Sequence, residues 1–156
     1  MWIGGASDFL RKIRHRLRFG ERSRAPLKFL RLEIREDSAE CEWFARANDP
    51  WDADLSEEMR KENYALQALR DALAVRQFLF ASLPEICWAT VKVYRTTERR
   101  SRQVIITGSL SRDDEPLPRV ASLVMQAKLC GFRFNLFGGA FESLTSETNE
   151  LQLIHQ

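Results

Sequence analysis

The stretch that most constrains this chain is Asp54 to Leu83, DLSEEMRKENYALQALRDALAVRQFLFASL, the longest run with a single period. Met59, Leu66, Leu69, Leu73 and Phe80 recur at helical spacing, and Ala65, Ala72 and Leu79 widen the apolar stripe on one side, the pattern of a helix laid on a core. Asp54, with Glu57 three residues later, makes a capping-box-like start near residue 55, and Pro84 stops the helix around Ser82 or Leu83 because it lacks an amide donor. About 27 residues at about 1.5 Å each give roughly 40 Å, enough to cross a whole domain.

With 156 residues, 44% of them hydrophobic and 29% charged, the chain is of single-domain size. No run of about eighteen apolar residues exists, so no membrane span is expected. The first twenty residues also lack the apolar centre of a secretory signal, and the expected location is cytoplasmic. Cys41, Cys87 and Cys130 are far apart in apolar surroundings, the setting of small buried residues rather than of a disulfide framework or metal cluster. The net charge of +2 hides an asymmetry: residues 1–35 carry ten Lys or Arg against three Asp or Glu, and the remainder carries fourteen against nineteen. The front of the chain is a basic arm on an acidic body.

Residues 7–19, SDFLRKIRHRLRF, gather Phe9, Leu10, Ile13 and Leu17 on one helical face with Arg11, Lys12, Arg14, Arg16 and Arg18 around the rest. So short an amphipathic helix needs something to dock on. Its own domain or a partner protein, an anionic membrane surface and the phosphates of a nucleic acid would each satisfy it, and the composition also fits an organelle transit peptide. After the polar break GERSRAP, alternation over 27–35 (Leu30, Leu32 and Ile34 against Phe29, Arg31, Glu33 and Arg35) predicts a strand, and 40–46 predicts its hairpin partner. A second hairpin follows from 86–96 and 103–110, then a helix over 117–130 ended by Gly131, then a third hairpin turning at Gly138-Gly139. The domain plan is therefore 1–26 basic amphipathic helix and linker, 27–144 one α+β domain, and 145–156 a flexible tail. The expected fold is an antiparallel or mixed β-sheet with two helices packed on one face. Without the outer strand of the first and last hairpins, the order reads βαββαβ, which resembles the ferredoxin-like superfold in topology only.

Three functional expectations follow. The first is a non-enzymatic protein-interaction or assembly domain, binding a protein partner or a second copy on the sheet face that the helices leave open, with Phe29, Trp43, Trp88, Tyr94 and Phe137 as partner-binding candidates. The second is a nucleic-acid-binding module built on Arg11, Arg14 and Arg18 of the arm and Arg95, Arg99, Arg100 and Arg102 of the second hairpin, since guanidinium forks suit phosphates and Trp88 and Tyr94 could stack bases. The third is a metal-dependent phosphoryl-transfer enzyme, with Asp52, Asp54, Asp113 and Asp114 as oxygen ligands brought to one edge of the sheet; acidic residues ahead of helices are equally explained by capping. The only histidines, His15 and His155, fall in the arm and the tail, and no nucleophile elbow, P-loop or dinucleotide fingerprint occurs. No catalytic residue and no cofactor is expected.

Overall fold

Alternation of apolar and polar residues builds the first hairpin, with one departure. A computed structural model describes residues 9, 11–12, 27–48, 50–97, 99–114 and 122–144. Strands β1 (Lys28–Ile34) and β2 (Ser38–Phe44) pair antiparallel, from Lys28 opposite Phe44 to Ile34 opposite Ala39. The register shifts between Phe29 and Arg31, which makes Leu30 the extra residue of a β-bulge. The shift turns Phe29 inward, its ring 5.9 Å from that of Trp43, and leaves Leu30 41% exposed. Unbroken alternation predicts the reverse, and the bulge is the reason it fails here.

After a 3-10 turn, Pro50–Asp54, helix α1 runs over Glu57–Ser82. Its N-cap is Ser56, whose hydroxyl accepts a hydrogen bond from the Met59 amide at 3.2 Å; Asp54 belongs to the preceding turn. The face laid on the sheet is Ala65, Ala68, Leu69, Ala72, Val75, Leu79 and Phe80, all buried, whereas Met59 is exposed. Small side chains at 65, 68 and 72 let the helix axis approach the sheet closely. A second flank of the same helix, Gln67, Asp71 and Phe78 at spacings of four and seven, is covered as well. The ring of Phe9, itself buried, lies 5.4 Å from Phe78. Residues 9, 11 and 12 are helical, so what is described of the basic arm packs on the helix layer of its own domain. The remainder of the helix expected over 7–19, and the tail expected over 145–156, lie outside the described residues.

The chain leaves α1 into β3 (Trp88–Thr96) and β4 (Arg102–Ser111), an antiparallel hairpin, and later β5 (Phe132–Arg133). The five strands run in sequence order, β1-β2-β3-β4-β5. β2 and β3 are direct parallel neighbours from Ser38 beside Trp88 to Phe44 beside Tyr94, with every other pairing antiparallel. A split βαβ of the ferredoxin-like kind would leave a strand between those two, and none of the described strands lies there. The fold is α+β, a mixed five-stranded sheet with two helices. The second helix, α2 (Leu123–Leu129), is capped by Ser122 and adds Ala127 and Cys130 to the core; residues 117–121 of the helix expected over 117–130 lie outside the described residues. Gly131 follows with φ +103°, and a Cβ there would sit 2.6 Å from the Ser109 carbonyl oxygen, so only glycine fits. Strands β6 (Leu136–Phe137) and β7 (Ala140–Phe141) form a separate two-stranded ribbon, with Gly138 and Gly139 both at positive φ as a type I′ turn requires. No helix among the described residues is long and apolar enough to cross a membrane.

Two arginines fasten α1. Arg112, at the end of β4, donates to the carbonyls of Phe80 (2.8 Å), Leu83 (2.8 Å) and Ile86 (2.6 and 2.9 Å), which satisfies acceptors that the end of a helix leaves open. Its guanidinium also lies over the Phe80 ring, 4.9 Å from the centroid. Arg46, just past β2, forms a buried ion pair with Asp71 at 2.8 Å, and Gln67 donates to the other carboxylate oxygen at 2.9 Å. Burial pushes the Asp71 carboxyl up to about 6, against the opposing pull of Arg46 and Gln67.

Removing one partner leaves a buried charge uncompensated, so Asp71→Leu is expected to cost about 3–5 kcal/mol in denaturant unfolding, and Arg46→Met with Asp71→Leu to recover most of that loss. The folded state binds the Asp71 proton more tightly than the unfolded chain does. Its contribution to stability is therefore full below about pH 3.8 and lost as the pH rises through about 6. A carboxyl carbon NMR titration placing its midpoint near the unperturbed 3.8 would contradict this.

Candidate interaction face

With α1 and α2 on one side, the sheet turns alternate residues to the other. Along β2 these are Glu40, Glu42 and Phe44, along β3 Trp88, Thr90, Lys92 and Tyr94, and along β4 Thr107 and Ser109. Arg31 and Glu33 of β1 stand opposite Glu42 and Glu40, and Arg133 of β5 stands opposite Thr107. Side chains from all five strands thus border one shallow hollow of about 360 Å³, with Arg31, Glu40, Glu42 and Lys92 toward one side, Arg133 toward the other, and Thr90, Thr107 and Ser109 between them. The face is polar at its centre, not the aromatic platform that the sequence suggests.

Its charges are arranged in a network. Arg31 pairs with Glu33, with Glu40 at 2.8 Å and with Glu42 at 3.7 Å, and Arg35 pairs with Glu33 at 3.1 Å. The hydrogen bond from Arg31, then the one from Arg35, holds the Glu33 carboxyl below the usual carboxylate range. Such exposed pairs contribute little stability one by one, yet together they fix the directions of the side chains. Tyr94 closes one end of the face. Its hydroxyl donates to Glu42 at 2.7 Å, its ring lies 6.2 Å from Phe44, and the Arg102 guanidinium stacks over it at 4.8 Å. Burial first, and the Glu42 carboxylate second, push the phenol up to about 12, so it remains a donor at neutral pH. At the other end stands Trp88, 57% exposed.

The partner-binding candidates therefore separate. Trp43 is fully buried and Phe29 packs against it on the inner face, so both belong to the core; Tyr94, 7% exposed, is held inside the network. Trp88 remains on the open face, and Phe137, 79% exposed, sits at the tip of the β6–β7 ribbon. The hairpin arginines separate too. Arg95 is engaged internally, with Nε donating to Gln103 at 3.0 Å and a terminal nitrogen to the Phe141 carbonyl at 2.8 Å, and Arg102 covers Tyr94. Arg99 and Arg100 stay exposed in the β3–β4 turn, where Arg100 takes φ +61°. Arg11 is exposed, and Arg14 and Arg18 lie outside the described residues.

The aspartates do not meet. Asp52 and Asp54 precede the start of α1, while Asp113 and Asp114 follow β4 beside its far end, where the Asp114 carbonyl accepts from Arg76 at 2.7 Å. The Asp114 contact at Arg76 lies 19 residues past Glu57, about 28 Å along the helix axis from the start of α1 that Asp52 and Asp54 precede. Among the described residues no group of three or more His, Cys, Asp or Glu could hold a metal ion. Residues that the sequence alone did not single out, Arg31, Glu40, Glu42 and Arg133, line the hollow because strand register brings them together. Their local signal is merely a charged residue at every second position. Comparison with family models, with curated proteins and with solved structures finds no match to this chain.

The two tyrosine and tryptophan positions should respond differently to truncation. Tyr94→Phe, which removes a hydroxyl bonded to a carboxylate, is expected to lower unfolding free energy by about 1.5–3 kcal/mol, and Trp88→Ala to stay within about 0.5 kcal/mol of the parent. Equal losses at both positions would mean that Trp88 is part of the folded framework.

Proposed function

We propose that this protein is a non-enzymatic interaction or assembly domain that docks a protein partner, or a second copy of itself, on the open face of its sheet. The observation that carries this reading is the combination of a pre-ordered charged hollow with one large exposed aromatic at its end. A protein interface of this type has a tryptophan anchor and a polar, charge-bearing surround that sets register and partner choice. Trp88 is the anchor. Arg31, Lys92 and Arg133 with Glu40 and Glu42 supply charges of both signs, Arg31 being held by its ion pairs to the glutamates, which suits a partner of complementary pattern better than a uniformly charged polymer.

The position of Phe9 supports the same reading. It packs on α1, on the helix side of the domain, which leaves the opposite sheet face to something other than this part of the arm.

The test is site-specific photo-crosslinking in cells, with p-benzoylphenylalanine in place of Trp88 and, as a control, in place of the exposed Met59. A discrete, protease-sensitive adduct from position 88 that the control lacks is the expected result. Adducts removed by nuclease instead of protease would favour a nucleic-acid-binding module, and no adduct at position 88 would overturn the reading.

A further inference from the structure

A second concavity, of about 510 Å³, lies on a different part of the molecule, where the first turns of α1 meet the β6–β7 ribbon and the segment leaving β2. Its polar lining is Asn48, Arg60, Lys61, Tyr64 and Arg95, and its apolar wall is Ala140 and Phe141. Glu57 is the one acidic residue among the described residues that line it, and Lys61 pairs with Glu57 at 3.3 Å. Among the described lining residues, three cations against one carboxylate leave two positive charges in excess.

The cations are also positioned. Arg95 is tied to Gln103 and to the Phe141 carbonyl, so its guanidinium is fixed in the wall before any ligand arrives. Arg60 enters no ion pair among the described residues, and its buried Nε finds no hydrogen-bond acceptor there. Two guanidinium groups and one ammonium gathered in one cleft favour an anion over a neutral ligand. Burial pushes the Tyr64 phenol up to about 12, with Arg95 opposing, which keeps it a neutral hydroxyl donor across physiological pH. The Asn48 side-chain amide, donating to the Arg60 carbonyl at 3.3 Å, ties the rim to α1.

We propose that this cleft binds a small organic phosphomonoester, with Arg60, Lys61 and Arg95 holding the dianionic phosphate, Tyr64 donating to it, and the ribbon edge at Ala140 bordering the organic part. The charge excess matches a dianion, guanidinium forks match the geometry of phosphate oxygens, and the volume exceeds what a bare phosphate needs. The site shares no lining residue with the sheet hollow, so it stands apart from the docking of a protein partner.

Titration of the intact chain by two-dimensional amide NMR with phenyl phosphate, inorganic phosphate and phenylacetate, each at matched ionic strength, tests this. Saturable shifts confined to residues around 57–64, 95 and 140–141 are expected, with phenyl phosphate tighter than phosphate and phenylacetate weakest. Arg60→Gln and Lys61→Gln, chosen because neither holds the ribbon in place, should each weaken phenyl phosphate about tenfold or more while leaving the remaining spectrum unchanged. Shifts that do not saturate at millimolar ligand, or an affinity unchanged in both variants, would overturn the proposal. Phenylacetate binding as tightly as phenyl phosphate would overturn the assignment to a phosphate.

Discussion

The parallel pairing of β2 with β3 is the constraint on which the rest of this molecule depends. Parallel neighbours begin at the same end of a sheet, so the chain that finishes β2 at Phe44 must travel back the full length of the strands before Trp88 can start β3. Helix α1 is that return. At about 39 Å it exceeds a seven-residue strand of about 23 Å, and it must therefore be held at both ends and along its length. Ser56 caps its start, the alanine-rich face lies on the sheet, and Arg112 reaches from β4 to gather the carbonyls at its end. The helix terminus is thereby joined to the strand farthest along the crossover, which couples the two hairpins into one unit.

The same economy of position governs the arginines. There are nineteen in the chain against five lysines, a composition that reads locally as capacity for phosphate. In the folded protein a large part of that capacity is directed inward. Arg46 is buried on Asp71, Arg76 and Arg112 flank Phe80 while binding carbonyls, and Arg95 braces the ribbon against the β3–β4 hairpin. A guanidinium suits these tasks because it offers five donors in a plane whose face can also cover an aromatic ring. Among the described residues, arginines that face outward stand at the sheet hollow, in the β3–β4 turn and at the α1 cleft.

Much of the element plan was legible in the chain because it rests on local rules. The C-terminal end of α1, the first two hairpins, the turn at Gly138-Gly139 and the glycine after α2 follow from proline, glycine and period, which act within a few residues, whereas the start of α1 falls at Ser56 and not at Asp54. The candidate site was less legible. Trp43 and Phe29 looked like exposed aromatics because alternation alone does not say which face is buried, and the bulge at Leu30 reverses the parity of β1. Tyr94 looked like a stacking platform, whereas a carboxylate from the neighbouring parallel strand and an arginine at the start of β4 enclose it. The acidic loops seemed able to share an edge until the strand order set them at opposite ends of α1.

By itself the sequence determined the long amphipathic helix and its stop before Pro84, the strands of the first two hairpins and the turn at Gly138-Gly139, since these outcomes depend on backbone preference and side-chain period over short distances. Tertiary structure alone decided the order of the strands, the face on which each aromatic lies, and the companions of each arginine. Those depend on register between segments dozens of residues apart, where one residue of shift exchanges inside for outside. The open charged face with Trp88 at its end, and the cationic cleft beside the ribbon, are products of that register.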